Sequence, residues 1–198
     1  MFPERIETER LVFEPLTTEN VDVLEFYEFC SHHNPNIGEI TEYLSWDPHE
    51  TPKETEEFLE LCEEAWNETE GASYLVRPKE GEDGAGEIAG ATGLDVNWDR
   101  RTGVLGAWLR KPFWGRGYSG ERAAALMEVA FDRLDLEVVA VTHHDGNDKS
   151  RRAIEKYVER FGGRHEGLLR NFHAGEADPD PVDAHRYTVS REEWERNR

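Results

Sequence analysis

Residues 103–142 read GVLGAWLRKPFWGRGYSGERAAALMEVAFDRLDLEVVAVT. An apolar strand pattern, Gly103 to Leu109, stops at a glycine-rich loop, Arg110 to Gly120. A helix pattern follows from Glu121 to Leu134, with Ala123, Leu126, Met127, Ala130, Phe131 and Leu134 forming one apolar stripe. Leu136 to Thr142 then reads as a buried strand. Strand, crossover helix and strand make a βαβ unit, so the two strands are expected to run parallel. A glycine loop between strand and helix leaves several amide N–H groups aimed at one spot, backed by the positive helix end. Such a place binds phosphate.

Upstream, Leu11 to Leu16 reads as a strand, with Thr17-Thr18 capping a helix that runs to about Cys30. The signal from Ser31 to Trp46 is weak. Thr51-Pro52-Lys53-Glu54 reads as a capping box, and Phe58, Leu61, Cys62 and Ala65 mark the apolar face of the helix it opens. Ala72 to Arg77 and Glu87 to Val96 read as strands about a turn at 80–84, and Asn97 to Arg101 turns the chain into Gly103. The middle is therefore an antiparallel meander.

Downstream, Asn147 or Asp148 caps a helix with Ala153, Ile154, Tyr157, Val158 and Phe161 on one face. Arg164 to Asn171 and His185 to Val189 read as closing strands around the acidic loop Asp178-Pro179-Asp180-Pro181. The expected fold is one α/β (α+β) domain over 1–198. It has a mixed, mostly antiparallel central sheet, helices on both faces, and a V-shaped gap between the strands Gly103 to Leu109 and Leu136 to Thr142.

The chain of 198 residues carries 23 Lys and Arg against 43 Asp and Glu, a formal charge of −20, and lysine occurs only at 53, 79, 111, 149 and 156. Such a surface repels nucleic acid and anionic membrane, so a phosphate ligand must be held locally, and the expected acceptor is cationic. Regular hydrophobic periodicity argues against disorder. Dense carboxylates with few lysines point to an owner living in concentrated salt. Cys30 and Cys62 lack metal or redox spacing and read as buried free thiols. Without an apolar run of membrane-spanning length, a cytoplasmic home is expected.

Gly115-Arg116-Gly117-Tyr118-Ser119-Gly120 formally matches the dinucleotide fingerprint, yet Arg110 to Trp114 intervene after the strand and only one βαβ unit is present. A nucleoside-triphosphate loop fails because no Gly-Lys-Ser/Thr follows. His143-His144-Asp145 and His32-His33 show no second ligand pair, so no metal is expected. His143 and His144 stay open as a base or a substrate contact.

Trp114 to Glu121 resembles the acyl-CoA pyrophosphate loop of the GNAT N-acetyltransferase superfamily. Asn147-Asp148-Lys149-Ser150 is similar to that superfamily's second motif. Ile6 to Phe13, Glu155-Lys156, Glu166-Gly167, Tyr187-Thr188-Val189 and Glu193-Trp194 resemble the RimJ/RimL-type branch of ribosomal-protein N-terminal acetyltransferases. The chain departs from that branch at Val104 and Gly106-Ala107, where a Glu and a Gly-Tyr pair are usual, and inserts Val158 to Arg160.

The resemblance implies acetyl-CoA as co-substrate, with the pantetheine arm along Trp108, Leu109 and Arg110. It gives the pyrophosphate to Gly115, Arg116, Gly117, Tyr118, Ser119 and Gly120, and a further contact to Asn147 and Ser150. Asn147 also reads as a plain helix cap. Ser150 and Tyr157, seven apart on one helix face, are candidate acids for the departing thiolate. Glu87 and Asp95 are candidate bases, because strand alternation puts them on one face. The expected reaction is direct attack of a primary amine, a protein N-terminus or a small amine, within a ternary complex. A non-catalytic acyl-CoA-binding or regulatory domain is the alternative, and dinucleotide binding a remote one. Monomer and homodimer both stay open.

Overall fold

The computed structural model describes residues 1–173 and 181–198. The strands are β1 (Ile6–Glu7), β2 (Leu11–Pro15), β3 (Gly71–Pro78), β4 (Gly90–Asn97), β5 (Thr102–Leu109), β6 (Val138–His144), β7 (Arg164–His173) and β8 (Val182–Ser190). The helices are α1 (Val23–Cys30), α2 (Ile37–Thr41), α3 (Pro52–Asn67), α4 (Tyr118–Glu128), α5 (Asp148–Arg160) and α6 (Arg191–Asn197). Strand order in the eight-stranded sheet is β1-β2-β3-β4-β5-β6-β8-β7. The chain forms two compact units, one of residues 1–93 and 107–116, the other of 94–106 and 117–198.

In the first unit β1 pairs antiparallel with β2, and β2 with β3. Its core gathers Leu16, Val21, Phe26, Cys30, Leu59, Leu75, Ile88 and Ala91. Each large apolar side chain so enclosed stabilises the fold by roughly 1.5–3 kcal/mol relative to exposure. Burial pushes the Cys30 thiol up to about 12.

Four expectations in this unit need correction. Asp22, not Thr17 or Thr18, caps α1, its Oδ1 accepting from the Leu24 and Glu25 amides at 2.9 and 3.1 Å. A carboxylate at the positive helix end outcompetes a hydroxyl, and Thr18 instead donates to Glu63. Thr51 precedes α3 without a side-chain cap, while Glu54 reaches back to the Glu50 amide at 2.9 Å. Leu61 is 62% exposed, because the buried face of α3 runs through Thr55 and Leu59 and turns Leu61 outward. Finally, β4 begins at Gly90. Glu87 sits before it, in a turn whose glycines Gly84 and Gly86 take left-handed φ of 77° and 80°.

In the second unit the parallel register of β5 and β6 runs from Thr102↔Val138 to Leu105↔Val141. β6 continues through Thr142 to His144, and those three residues pair with β8 on its other edge. The parallel register ends at Leu105 and Val141. The helix starts three residues earlier than its pattern indicated, at Tyr118, and ends in a π-helical turn, Val129–Arg133. That turn keeps Ala130, Phe131 and Leu134 inside. Ser190 and Glu193 form a capping box that opens α6, an element with no counterpart in the sequence reading, and Trp194 packs on Phe161 at 4.8 Å between ring centroids. The loop Asp178-Pro179-Asp180-Pro181 lies largely outside the described residues.

Candidate active site

After β5 the chain makes a 3-10 turn, Lys111–Phe113, with the Phe113 ring buried. Gly115 and Gly117 take φ of 75° and 82°, a left-handed geometry that costs an L side chain roughly 1–2 kcal/mol. Gly117 is the N-cap of α4, which has no side-chain cap. The first turn of a helix carries the positive dipole end and amides without i−4 partners, and here the Gly120 amide donates to the Gly117 carbonyl at 3.2 Å.

The loop's own side chains are mostly engaged in holding it. Tyr118 is buried. The Arg116 carbonyl accepts from Arg10 Nη1 at 2.9 Å, and its guanidinium donates to the Asp83 carbonyl at 2.7 Å. Trp114 Nε1 donates to the Leu109 carbonyl at 2.7 Å, and the Arg110 amide to the Ala89 carbonyl at 2.8 Å. Two of the backbone groups expected to meet pantetheine are therefore already bonded. Trp108 is half-buried, its ring 5.9 Å from Phe26 and 5.7 Å from Trp46. Ser119 and Gly120 are half-buried in the first turn of α4.

In the second unit Asn147 caps α5, its side chain accepting from the Ser150 amide at 3.0 Å. Ser150 is half-buried and keeps water access. Tyr157 is 2% exposed, and its hydroxyl is enclosed without a hydrogen bond of ordinary geometry. Burial raises the phenol's pKa, while the neighbouring Arg122 guanidinium pulls it back down.

Arg122 itself is 5% exposed and donates from Nη1 to the Gly106 carbonyl at 3.2 Å. The sequence reading missed it, although a charge four residues before Leu126 within an apolar stripe was a usable signal. Arg10, which braces the loop from more than a hundred residues away, left no such signal.

Glu87 and Asp95 do not share a strand face, because only Asp95 lies on β4. Glu87 approaches Arg110 Nη1 at 3.4 Å. Asp95 keeps exposed surface, yet enough protein walls it in that desolvation raises its carboxyl pKa.

His143 is buried, bonded through Nδ1 to the His144 carbonyl at 2.9 Å, and burial lowers its pKa. His165 Nε2 lies 3.0 Å from His185 Nδ1, and His185 Nε2 lies 3.3 Å from Asp145. Among the described residues no three His, Cys, Asp or Glu side chains converge on a metal-sized site. No helix among them is long and apolar enough to cross a membrane.

Residues 10–157 match the family model described as acetyltransferase (GNAT) domain. The chain is 21% identical over 192 residues to the uncharacterized N-acetyltransferase p20 of Bacillus licheniformis, covering 96% of this chain and 98% of that one. Over 112 residues it is 30% identical to YdaF of Bacillus subtilis strain 168, named as a candidate ribosomal N-acetyltransferase, covering 56% and 57% of the two chains. A solved candidate acetyltransferase from T. thermophilus superposes with a TM-score of 0.76 at 27% identity, covering 98% of this chain and 93% of the other. The chain belongs to the GNAT acetyltransferase family, a class whose co-substrate is acetyl-CoA.

Proposed function

We propose that residues 1–198 act as one acyl-CoA N-acyltransferase domain that moves an acetyl group from acetyl-CoA to a primary amine. The observation that carries this is the uncapped start of α4 behind two left-handed glycines, Gly115 and Gly117, in a chain of this family. The amides of Gly115 to Gly120 would hold the pyrophosphate. The end of β5 near Trp108 would carry the pantetheine arm, with Asn147 and Ser150 as a further contact.

In the transfer, the uncharged amine nitrogen attacks the thioester carbonyl carbon. The C–N bond forms, the C–S bond breaks, the nitrogen loses a proton and the thiolate takes one up. Ser150 fits the acid better than Tyr157, because it has water-accessible surface and Tyr157 has none at its hydroxyl. Of the two candidate bases Glu87 is the better placed, because it approaches Arg110 at the strand end given to the thioester, whereas Asp95 lies five residues along β4 from Gly90, the residue that abuts Trp108 and Leu109. Neither cysteine lies on the loop, which favours direct attack in a ternary complex over an acyl-enzyme. The resemblance to the RimJ/RimL branch and the name of YdaF support a protein N-terminus as acceptor; a small amine is the other choice.

Thermal unfolding in molar KCl tests cofactor choice. Acetyl-CoA at 100 times its Kd should add about 2.7 kcal/mol of stability, whereas a response to NADH alone would revive the dinucleotide reading. Initial rates at varied acetyl-CoA and amine should give intersecting lines for a ternary complex, and parallel lines for an acyl-enzyme.

A further inference from the structure

A cleft of about 400 Å3 in the first unit is lined by residues that include Tyr27, Phe29, His33, Asn36, Arg110 and Lys111. The Arg110 guanidinium carbon stands 4.1 Å from the Phe29 ring centroid and 5.5 Å from that of Phe113. Its Nη1 donates to the Ile88 carbonyl at 2.6 Å and approaches the Glu87 carboxylate at 3.4 Å. Stacking and these bonds fix the plane of the guanidinium. Its Nε and Nη2 donors make no hydrogen bond or ion pair among the described residues.

The Arg110 side chain is only 19% exposed, so the two open donors sit in a poorly solvated wall. A planar fork held rigid by stacking, with one donor edge open, matches a carboxylate through two parallel hydrogen bonds. Ordering entropy, the usual cost of engaging a long side chain, has already been met. The lining carries one anion, Glu28, beside Arg110 and Lys111, and Lys111 is already paired with Glu39, so the attraction for a carboxylate rests on the open edge of Arg110 rather than on net charge.

We propose that this cleft binds a carboxylate on the acceptor through Arg110, so that the acetylated amine belongs to a free amino acid or to a peptide beginning with Asp or Glu. This rests on the acetyl-transfer reading. Arg110 follows the strand end given to the thioester arm, and its side chain enters the cleft, so amine and carboxylate must lie within one side chain's reach.

The test compares free amino acids with their amides, and peptides beginning Asp or Glu with those beginning Asn or Gln. It uses amine-dependent thiol release and calorimetric binding of the acceptor in the presence of CoA. The carboxylate should be preferred by about 10- to 100-fold. That preference should fall to near unity in Arg110→Gln and recover partly in Arg110→Lys. Which pair shows it identifies the source of the carboxylate.

Equal use of acid and amide by the wild type overturns the proposal, as does a preference that survives in Arg110→Gln. The wild-type comparison decides the matter even if a variant fails to fold. Carboxylated acceptors that bind without any thiol release would sink the acetyl-transfer reading and leave the cleft's ligand standing.

Discussion

Arg116 reaches across to Asp83, donating from Nη1 to its carbonyl at 2.7 Å and pairing through Nη2 with its carboxylate at 3.2 Å. The arginine nearest the glycine turn is thus a strut for the loop before it is a phosphate ligand. Arg116→Ala should weaken acetyl-CoA binding by about 3- to 10-fold, the effect of one lost charge-assisted hydrogen bond. Asp83→Ala should stay within about twofold, because the carbonyl bond remains and an exposed ion pair contributes little. Titration calorimetry of both variants checks this; a large loss in Asp83→Ala would show the strut to be carboxylate-dependent.

Gly117→Ala should destabilise the protein by about 1–2 kcal/mol, since it forces a side chain into the left-handed region. Gly106→Ala makes a fair control: a Cβ there meets nothing within 4 Å, and its φ is ordinary. Urea melts of the two variants should differ, and acetyl-CoA affinity should fall in the first.

Ser150→Ala should lower kcat by about 100-fold, toward the lower end of what a positioned acid contributes. Tyr157→Phe should cost about 1 kcal/mol or less, because the hydroxyl is enclosed without a hydrogen bond of ordinary geometry yet lies beside the buried Arg122 guanidinium. A fall in kcat confined to Tyr157→Phe would move the acid role to the tyrosine and show that its hydroxyl is uncovered when acetyl-CoA binds.

His49 and His143 both have lowered pKa values, chiefly through burial. The neutral rings are favoured in the fold, so the unfolded chain binds more protons as pH falls through its ordinary value of 6.5. Their contribution is present above that pH and is lost as pH falls through the folded values. In molar KCl, which screens the excess carboxylates, unfolding free energy should drop on going from neutral pH to about 5.5. His143→Gln should show a shallower drop.

Cys30 behaves in the opposite sense. Its thiol is raised from 9.0 to about 12, so its contribution holds below pH 9 and fades as pH climbs toward 12. Thiolate is the reactive form. Half-buried Cys62 should therefore react with a thiol reagent first, and Cys30 only at the rate of unfolding.

The βαβ unit and its glycine loop were legible because local pattern and tertiary role coincide there: the apolar stripe on α4 is buried, and the loop glycines carry the positive φ that their type permits. What stayed hidden depends on distant partners. Asp22 is the cap because α1 begins at Val23, while Thr18 bonds Glu63 from α3, and Glu87 leaves the strand because glycines at 84 and 86 turn the chain before β4 forms. The side-chain role of Arg110 depends on Phe29 of α1, eighty-one residues away, whose ring lies against its guanidinium. The span from Ser31 to Trp46 gave no periodic signal because α2 is only five residues long, yet several residues near it line the cleft.

The most direct test of the account is release of CoA thiol from acetyl-CoA in molar KCl, with and without a panel of primary amines, and with mass analysis of the amine. The account predicts thiol release only when an amine is present, with an added acetyl group on that amine. Acetyl-CoA binding without release for any amine would contradict it and leave a non-catalytic acyl-CoA-binding domain.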